Sequence, residues 1–322
     1  MKKEPEISVI MSTYNEKRRF LIESIESILN QTFKDFEFII VLDNPQNEEI
    51  RQCVYEYASA DQRIRVIENE ENIGLTKSLN KAIAVARGKY MSRMDADDIM
   101  MAVCLEQEIR IIEEDNLDLI GTSKKNIDEN GRVLGIYVND FSPEQVKRLL
   151  PYDNSINHPT VLVRMDIVRK LKGYRAIRSC EDYDLWLRML CHGCRMRILP
   201  HILLLYRIRT EGICASNAYQ LFCSRRFVMA SYKKGKRNLS ALDNIAEYEQ
   251  FMKKQESEMK QKRFNEAYDQ LYKGIDFLKR REIRGFQIYF WKAIVADKAM
   301  FKILCDKLFY QIKRYIVIRL VR

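Results

Sequence analysis

The sequence predicts an α/β fold in which a parallel sheet carries helices on both faces, followed by a helical C-terminal extension. Strand-like and helix-like segments alternate over residues 6–94, which is the rhythm of βαβ units. Among them, FEFIIVLDN at residues 36–44 is a nearly continuous apolar run, as expected of a strand buried on both faces. From about residue 216 onward the pattern is helical and heavily charged.

The first part of the chain supplies the predicted parallel sheet. Strands are predicted at residues 6–15, 36–44, 64–69 and 89–94, and helices at residues 18–31, 48–60 and 75–88. We expect the third helix to end with Gly88 as its C-cap, because glycine readily adopts the left-handed conformation common at that position.

The middle of the chain is less regular. Residues 116–138 indicate two strands joined by an Asp-Glu-Asn-Gly turn, and Pro159 disfavours a helix in the loop at 150–160. Further predictions are a strand at 159–165, a helix at 181–193 and extended chain at 197–208. The chain is therefore expected to divide into a domain over residues 1–215 and a helical, basic region over residues 216–322.

Composition indicates a folded protein whose positive charge is concentrated towards the C-terminus. Hydrophobic residues make up 47% of the 322 residues, enough for a sizeable core. Residues 233–322 contain 22 Lys and Arg against 11 Asp and Glu, so the formal net charge of +10 belongs to this part. Eight scattered cysteines, no secretory leader and no apolar run of 18 residues predict a cytosolic protein with reduced thiols and no membrane-spanning helix.

Polar clusters follow three of the predicted strands: Tyr14-Asn15-Glu16, Asp43-Asn44 and Asp95 to Asp98. Ligands of open α/β sheets bind outside the carboxyl ends of the strands, which meet at one edge. Three such clusters therefore predict a functional site at that edge of the sheet.

The third cluster is the most acidic, with Asp95, Asp97 and Asp98 in four consecutive positions. Oxygen ligands suit hard divalent cations such as Mg²⁺ or Mn²⁺, and a turn can aim two carboxylates at one ion that also bridges phosphates. An alternative is a solvated acidic turn that caps a helix starting near Met101. A calcium-binding EF-hand is excluded because Ile99 stands at its fifth position and Met100 stands at the sixth, where the loop needs Gly.

Four segments resemble the family 2 glycosyltransferases: SVIMSTYNE, VLDN, NIGLTKSLNKAIAVARGKYMSRMDADD and CEDYDLWLRML. They occur in order over roughly residues 6 to 210, and MDADD together with EDYDLW is quite specific. The resemblance implies the Rossmann-like, A-type glycosyltransferase fold. It also implies inverting transfer of a sugar from a nucleotide diphosphate donor, with UDP-sugar expected, in capsule, O-antigen or exopolysaccharide synthesis.

The resemblance also assigns roles to residues of the nucleotide side. Ser12, Tyr14 and Glu16 match a loop that lies along the nucleotide. Asp43 matches the acid that hydrogen-bonds uracil, although Asn44-Pro45 departs from the family's commoner Asp-Asp-Gly-Ser loop.

The resemblance also implies which residues contact the diphosphate, the metal and the reacting hydroxyl. These residues are Lys77, Arg93, Asp95, Asp97 and Asp182. Lys77 and Arg93 lie where basic residues could face the diphosphate. Asp95 and Asp97 match the metal motif, with Asp97 as the direct ligand. Asp182 matches the general base.

One departure from the family concerns the metal. Many members carry a His shortly after a Tyr-Arg pair near the end of the domain, whereas this chain reads Tyr206-Arg207-Ile208-Arg209. Two alternatives follow: Arg209 contacts the diphosphate instead, or the metal has fewer protein ligands.

The chemistry explains why carboxylates are needed at both places. A cation at Asp97 would offset the charge that grows on the departing diphosphate. A carboxylate must also take the proton of the attacking hydroxyl, and one base opposite the leaving group implies a single, inverting displacement. Glu181 and Asp184 are rivals of Asp182, which is preferred through the family match alone.

Several other residues have structural interpretations. Cys191-His192-Gly193-Cys194 resembles half of a zinc site but has no second pair at finger spacing, and Gly193 is expected to be a helix C-cap. His158 is expected to make a structural hydrogen bond, and Trp186 is expected in the core.

The tail predicts contact with an anionic membrane surface. Residues 285–322 contain eight Lys and Arg against two Asp, and their apolar residues recur at helical spacing: Phe286, Phe290, Ile294, Phe301, Leu304, Leu308, Ile312 and Ile316. The alternative is a helix packed on the first domain with an ordinary charged face. No nucleic-acid motif is present, so we expect no nucleic-acid partner.

The leading hypothesis is a metal-dependent, inverting glycosyltransferase, peripheral on the cytoplasmic face of a membrane, with a saccharide or lipid-linked acceptor. A nucleotidyltransferase would also use paired acids on an α/β sheet, but it would usually show an early Gly-rich phosphate loop. A catalytically inactive binding scaffold is the third alternative, and the acids at 95, 97 and 182 argue against it.

Overall fold

The structure, a computed structural model, describes residues 4–209, 218–242 and 245–321. By its internal contacts the chain forms two compact units. The first comprises Met1–Leu150, Asn154–Ala176 and Glu181–Thr210, and the second comprises Pro151–Asp153, Ile177–Cys180 and Glu211–Arg322. None of the described helices is both long and apolar enough to cross a membrane.

The first unit is built from strands and seven described helices. Its strands are β1 (Ile7–Thr13), β2 (Phe36–Leu42), β3 (Ile64–Glu68), β4 (Tyr90–Asp95), β5 (Ile99–Met100), β6 (Leu119–Ile127), β7 (Val133–Tyr137), β8 (Val161–Arg164) and β9 (Met196–Arg207). Its helices are α1 (Arg18–Leu29), α2 (Glu48–Ala60), α3 (Leu75–Val85), α4 (Cys104–Glu114), α5 (Pro143–Leu149), α6 (Met165–Lys170) and α7 (Glu181–Cys191).

The strands of the first unit form one mixed sheet in the order β3-β2-β1-β4-β8-β6-β9-β5, with β7 paired to β6. The first four strands are parallel, as predicted, and β2 is buried along its whole length. Beyond them the sheet is mixed, because β8 runs antiparallel to both β4 and β6. The α/β class is confirmed.

The third helix ends earlier than predicted. α3 stops at Val85, and its C-cap is Ala86 rather than Gly88. Gly88 is required for another reason: a Cβ there would lie 2.7 Å from the carbonyl carbon of Ile7 and even closer to the amide nitrogen of Ser8. The chain therefore uses glycine to bring this segment against the start of β1.

The middle of the first unit matches most predictions. The predicted hairpin is formed by β6 and β7, and Gly131 in its turn has a φ of +80°. The predicted loop at 150–160 contains a single 3₁₀ turn over His158–Thr160, directly before β8.

The second unit is helical, as expected from about residue 216, although residues 210–217 lie outside the described part of the chain. Its helices are α8 (Ala218–Gly235), α9 (Ile245–Lys253), α10 (Glu258–Lys279), α11 (Ile283–Ala296) and α12 (Ala299–Leu320), with a 3₁₀ turn at Leu239–Leu242. Its core joins α8, α10, α11 and α12 through Ala218, Phe264, Ala267, Leu271, Ala293 and Met300.

The apolar stripe predicted for the tail is divided between two helices. Phe290 and Ile294 of α11 pack against the core of the helical unit. In contrast, Phe301, Leu308 and Ile312 of α12 are more than half exposed. Only the second half of the stripe is therefore available to a partner.

Candidate active site

Strand order places the three polar clusters side by side, as the sequence predicted. Ser12 of β1 is in register with Asp95 of β4 on one side and with Val41 of β2 on the other. The loops are also tied together, since Asn44 Nδ2 donates to Asn15 Oδ1 at 2.6 Å. The carboxyl edge of β2, β1 and β4 is therefore one continuous polar surface.

Asp43 organises the loop that precedes α3. Its carboxylate accepts hydrogen bonds from Asn69 Nδ2 at 2.8 Å and from the backbone N–H groups of Ile73 and Gly74 at 2.9 Å each. Asp43 is only 3% exposed. Three of about four acceptor positions are thus already used by the protein, and the prediction that Asp43 contacts a nucleotide base stays a prediction.

The other residues predicted for the nucleotide side differ in their surroundings. Glu16 turns back on its own loop and accepts from Thr13 Oγ1 at 2.7 Å and from the Tyr14 N–H at 2.8 Å. Tyr14 is 43% exposed and Ser12 is partly buried at the strand end. Lys77 is exposed on the first turn of α3. Of these, Glu16 has a clear structural role in shaping the loop.

The acidic turn that follows β4 does not cap a helix. β5 intervenes, and α4 begins at Cys104 with Val103 as its N-cap. Ser24 of α1 fixes the turn by donating to the carbonyl oxygen of Asp95 at 2.9 Å. The capping interpretation of the acidic cluster is therefore wrong, and the carboxylates require another explanation.

The end of β9 clamps this turn. Arg207 donates from its backbone N–H to Asp98 Oδ1 at 2.8 Å and from Nε to the carbonyl oxygen of Asp97 at 2.8 Å. Two positions further on, Arg209 Nε lies 2.9 Å from Asp97 Oδ2. The Tyr-Arg-Ile-Arg segment thus holds both the backbone and a carboxylate of the acidic turn.

Burial and mutual repulsion alter the acidity of the turn. Burial, followed by the neighbouring Asp95 carboxylate, raises the pKa of Asp97 to about 6. The same two causes raise the pKa of Asp98 well above its ordinary value. A bound cation would favour the ionised form of these carboxyls.

Arg93 is the buried cation of the site. It is 3% exposed and forms an ion pair with Asp95, two positions further along β4. Its Nε and Nη1 atoms are buried with no hydrogen-bond partner among the described residues. Unpaired donors on a buried guanidinium are costly, so this side chain is suited to an anionic ligand.

The second pair of carboxylates lies at the N-terminus of α7. Asp182 Oδ2 accepts from Asn154 Nδ2 at 2.9 Å, and its Oδ1 accepts from the Tyr183 N–H at 2.6 Å. Burial and the adjacent Asp182 raise the pKa of Glu181 to about 7, and burial also raises the pKa of Asp182. Arg93 lowers the pKa of both groups, which places all three side chains in one electrostatic environment.

Asp184, the other rival for the general base, is structural. Its Oδ2 accepts from Arg175 Nε at 2.9 Å and from Arg188 Nε at 2.8 Å, and it is 2% exposed. Arg188 also donates to the carbonyl oxygens of Leu171 and Gly173. Asp184 is therefore committed to holding α7 against the preceding loop.

The structural interpretations of His158 and Trp186 are confirmed. His158 Nε2 is hydrogen-bonded to Tyr174 Oη at 2.8 Å, and burial lowers the pKa of the imidazole well below its ordinary value. Trp186 is fully buried and contacts the His158 ring edge-on.

Gly193 terminates α7 with a φ of +78°, as predicted for a C-cap. His192 Nδ1 is hydrogen-bonded to the carbonyl oxygen of Arg188 at 2.9 Å. The Cys-His-Gly-Cys segment is therefore the end of a helix.

Across the described ranges, no three or more His, Cys, Asp or Glu side chains are grouped so that they could hold a metal ion. A divalent ion at the acidic turn would therefore take at most two protein carboxylates, those of Asp95 and Asp97. Their oxygen donors fit a hard cation whose remaining ligands are phosphate oxygens and water.

Sequence reasoning missed some residues of the site. Arg207 and Asn154 carry no local sequence signal for the contacts that they make. Their partners, Asp98 and Asp182, are separated from them by 109 and 28 residues. No local sequence pattern predicts contacts between residues so far apart in the chain. The absence of the family's His, with Arg209 in this segment instead, did indicate an altered site.

The acidic turn lies at the carboxyl edge of a mixed α/β sheet, where open α/β sheets bind their ligands, as the A-type glycosyltransferase fold predicts. Comparison with known proteins gives the family. The family model for "Glycosyl transferase family 2" matches residues 8–171, and the chain belongs to this family of enzymes.

Relatives of the chain are named glycosyltransferases. An uncharacterised glycosyltransferase of Methanocaldococcus jannaschii is 41% identical over 63% of this chain and 71% of its own length. The O-antigen biosynthesis glycosyltransferase WbnJ of Escherichia coli is 33% identical over 69% of this chain and 91% of its own. The putative glycosyltransferase EpsE of Bacillus subtilis is 35% identical over 65% and 74%, respectively.

Solved structures share the fold. TarS 1–349 of S. aureus, determined with UDP-GlcNAc, superposes with a TM-score of 0.59 at 18% identity, covering 88% of this chain and 90% of that one. The mannosyltransferase PcManGT of Pyrobaculum calidifontis, determined with GDP-Man and Mn²⁺, gives 0.55 at 14% identity, covering 75% and 74%.

Proposed function

We propose that the protein transfers a sugar, with inversion, from a nucleotide diphosphate donor to a hydroxyl group of a saccharide or lipid-linked acceptor. The observation that carries this proposal is the buried Arg93 guanidinium, which pairs with Asp95 of the acidic turn while its Nε and Nη1 have no hydrogen-bond partner among the described residues. Arg93 and the acidic turn suit a diphosphate and its counter-ion. The Glu181-Asp182 pair suits a hydroxyl that must lose a proton. A UDP-sugar is the proposed donor.

The base is proposed to be Asp182. As the acceptor oxygen forms its bond to C1 of the sugar, the C1–O bond to the diphosphate breaks, and the acceptor proton passes to the Asp182 carboxylate. Asn154 and the Tyr183 N–H orient that carboxylate, and Asp184 is excluded by its two arginine partners. Glu181 remains the rival.

Asp95 and Asp97 are the residues that would hold a divalent ion, Mn²⁺ or Mg²⁺. Such an ion supplies a Lewis acid that offsets charge on the diphosphate. The protein's own contribution there is the Arg93 guanidinium, whose unpaired Nε and Nη1 donors can bind an anionic oxygen.

The acceptor is proposed to belong to bacterial polysaccharide synthesis, such as O-antigen, capsule or exopolysaccharide. Support comes from the relatives named for O-antigen and amylovoran biosynthesis. We further propose that the protein works at the cytoplasmic face of the membrane and contacts it through the exposed apolar face of α12.

The first experiment separates the base from donor binding. Asp182→Asn is expected to lower kcat by about 10²–10⁴-fold, because general-base catalysis is worth this much, while leaving the dissociation constant for UDP with Mn²⁺ unchanged. Transfer is measured by UDP release, and UDP binding by the shift in melting temperature.

Glu181→Gln tests the rival base, and the matched control is Glu144→Gln, which changes an exposed acid on α5 paired with Arg148. Glu144→Gln should behave as the wild type. If Asp182→Asn retained full activity and Glu181→Gln lost it, the base would be Glu181. If no variant or wild-type protein bound UDP, the proposed function would be wrong.

A further inference from the structure

The ion pair between Arg209 and Asp97 lies where the proposed metal would bind. Arg209 Nε is 2.9 Å from Asp97 Oδ2, and the two side chains are 28% and 14% exposed. The contact is therefore partly shielded from water, where an ion pair is stronger than on an open surface. Asp97 in this state already has a cation, supplied by the chain itself.

Arg209 follows β9 by two residues, and the contacts of that strand set where it lies. β9 pairs with β5, directly after the acidic turn, through Leu204 and Leu205. Arg207 then holds the turn through the carbonyl oxygen of Asp97 and the carboxylate of Asp98. Arg209 is two residues beyond this clamp, so its guanidinium is delivered to the Asp97 carboxylate.

A divalent ion at Asp97 would lie close to the Arg209 guanidinium, and the repulsion between the two positive charges weakens both contacts. A nucleotide diphosphate changes this balance, because its oxygens offer the guanidinium a second anionic partner. Guanidinium binds phosphate oxygens in a bidentate geometry, so Arg209 has a suitable alternative site when the nucleotide arrives.

We propose that Arg209 and the divalent ion compete for Asp97, and that Arg209 transfers to the diphosphate when the ion and the nucleotide bind together. This inference rests on the proposed function, which places the ion at Asp97. Its consequence is that the free protein binds the ion weakly and that nucleotide and ion bind with positive coupling. Arg209 is then a positioning residue that prevents occupation of the site by the ion alone.

The test measures Mn²⁺ binding to the full chain by electron paramagnetic resonance of the free ion, with and without UDP. Without UDP, Arg209→Gln is expected to bind Mn²⁺ about tenfold more tightly than the wild type, since the charged hydrogen bond no longer has to be broken. The enhancement of Mn²⁺ affinity by UDP is expected to fall by about tenfold in the same variant, because the diphosphate loses a partner. Arg209→Lys keeps the positive charge but loses the bidentate guanidinium. Its Mn²⁺ affinity, and the enhancement of that affinity by UDP, should therefore lie between those of the wild type and Arg209→Gln.

The matched control is Arg197→Gln, which removes another arginine of β9, paired with Asp115. It should leave Mn²⁺ binding unchanged, and melting curves of all variants confirm folding. Asp97→Asn should abolish Mn²⁺ binding at this site both in the wild-type chain and in the Arg209→Gln variant.

The outcomes are distinguishable. If Asp97→Asn removes Mn²⁺ binding but Arg209→Gln does not strengthen it, competition is wrong while the proposed metal site stands. If Asp97→Asn leaves Mn²⁺ binding unchanged, the ion does not bind at Asp97, and both the proposed metal site and this inference are overturned.

Discussion

Arg93 links the two acidic groups of the site. Its guanidinium is buried, pairs with Asp95 and lowers the pKa of both Glu181 and Asp182. Burial alone would protonate these carboxyls more readily, and the buried cation partly offsets that effect. Arg93 therefore lowers the pKa values that burial alone would give to Glu181 and to the proposed base, Asp182.

At the same scale, the raised pKa values predict the pH dependence of transfer. Burial and the neighbouring carboxylate bring the pKa of Glu181 to about 7, and burial raises the pKa of Asp182 above that of an ordinary aspartate. A base must be deprotonated, so kcat/KM should rise with pH through this raised range and then level off.

Glu181→Gln removes a like charge beside Asp182. The acidic limb of kcat/KM is therefore expected to move to lower pH, because the remaining carboxyl loses its proton more easily. Glu144→Gln on α5 is the matched control, and its limb should coincide with that of the wild type. If the acidic limb of the kcat/KM profile did not shift in Glu181→Gln, Glu181 would not influence the ionisation that limits the reaction.

At the scale of elements, Gly88 joins α3 to β4 at a point where the chain passes against β1. Its N–H donates to Ser8 Oγ at 2.8 Å, and a Cβ would meet the Ile7–Ser8 backbone. Gly88→Ala should lower the free energy of unfolding by about 1–3 kcal/mol, because the strand backbone cannot yield without shifting its neighbours. Urea unfolding measures the change.

Gly131 offers the control for this prediction. It has a φ of +80° in the β6–β7 turn, and no atom lies within 4 Å of the position that a Cβ would take. Gly131→Asn should change stability by about 0.5 kcal/mol or less, since Asn tolerates this conformation. Equal losses in both variants would contradict the packing argument for Gly88.

Elements were predictable where local sequence decides them. The buried run of β2 and the alternation around it located β1 to β4, and the order of these strands then brought the polar clusters together. The direction of β8 and the clamp by Arg207 were not predictable, because they depend on contacts between segments far apart in the chain. The same is true of residues 151–153 and 177–180, which belong to the helical unit.

The whole molecule consists of two chemically different parts. The first unit contains the acidic turn and the carboxylate pair, whereas residues 233–322 contain 22 of the 55 Lys and Arg. Within the helical unit, α12 exposes large apolar side chains beside this positive charge. A basic helix with an uncovered apolar face suits an anionic membrane surface, where an acceptor with a lipid anchor would be found.

This surface gives the last prediction, in which Leu308→Gln with Ile312→Gln reduces binding to phosphatidylglycerol-containing vesicles. Both side chains are exposed, at 60% and 51%, and lie one turn apart on α12. We expect about a tenfold or greater loss in vesicle cosedimentation, because two apolar groups no longer enter the interface. The control, Val133→Gln, changes a 57% exposed residue of β7 and should have no effect. Equal wild-type binding to neutral and anionic vesicles would contradict the role of charge, and no wild-type binding would contradict membrane contact itself.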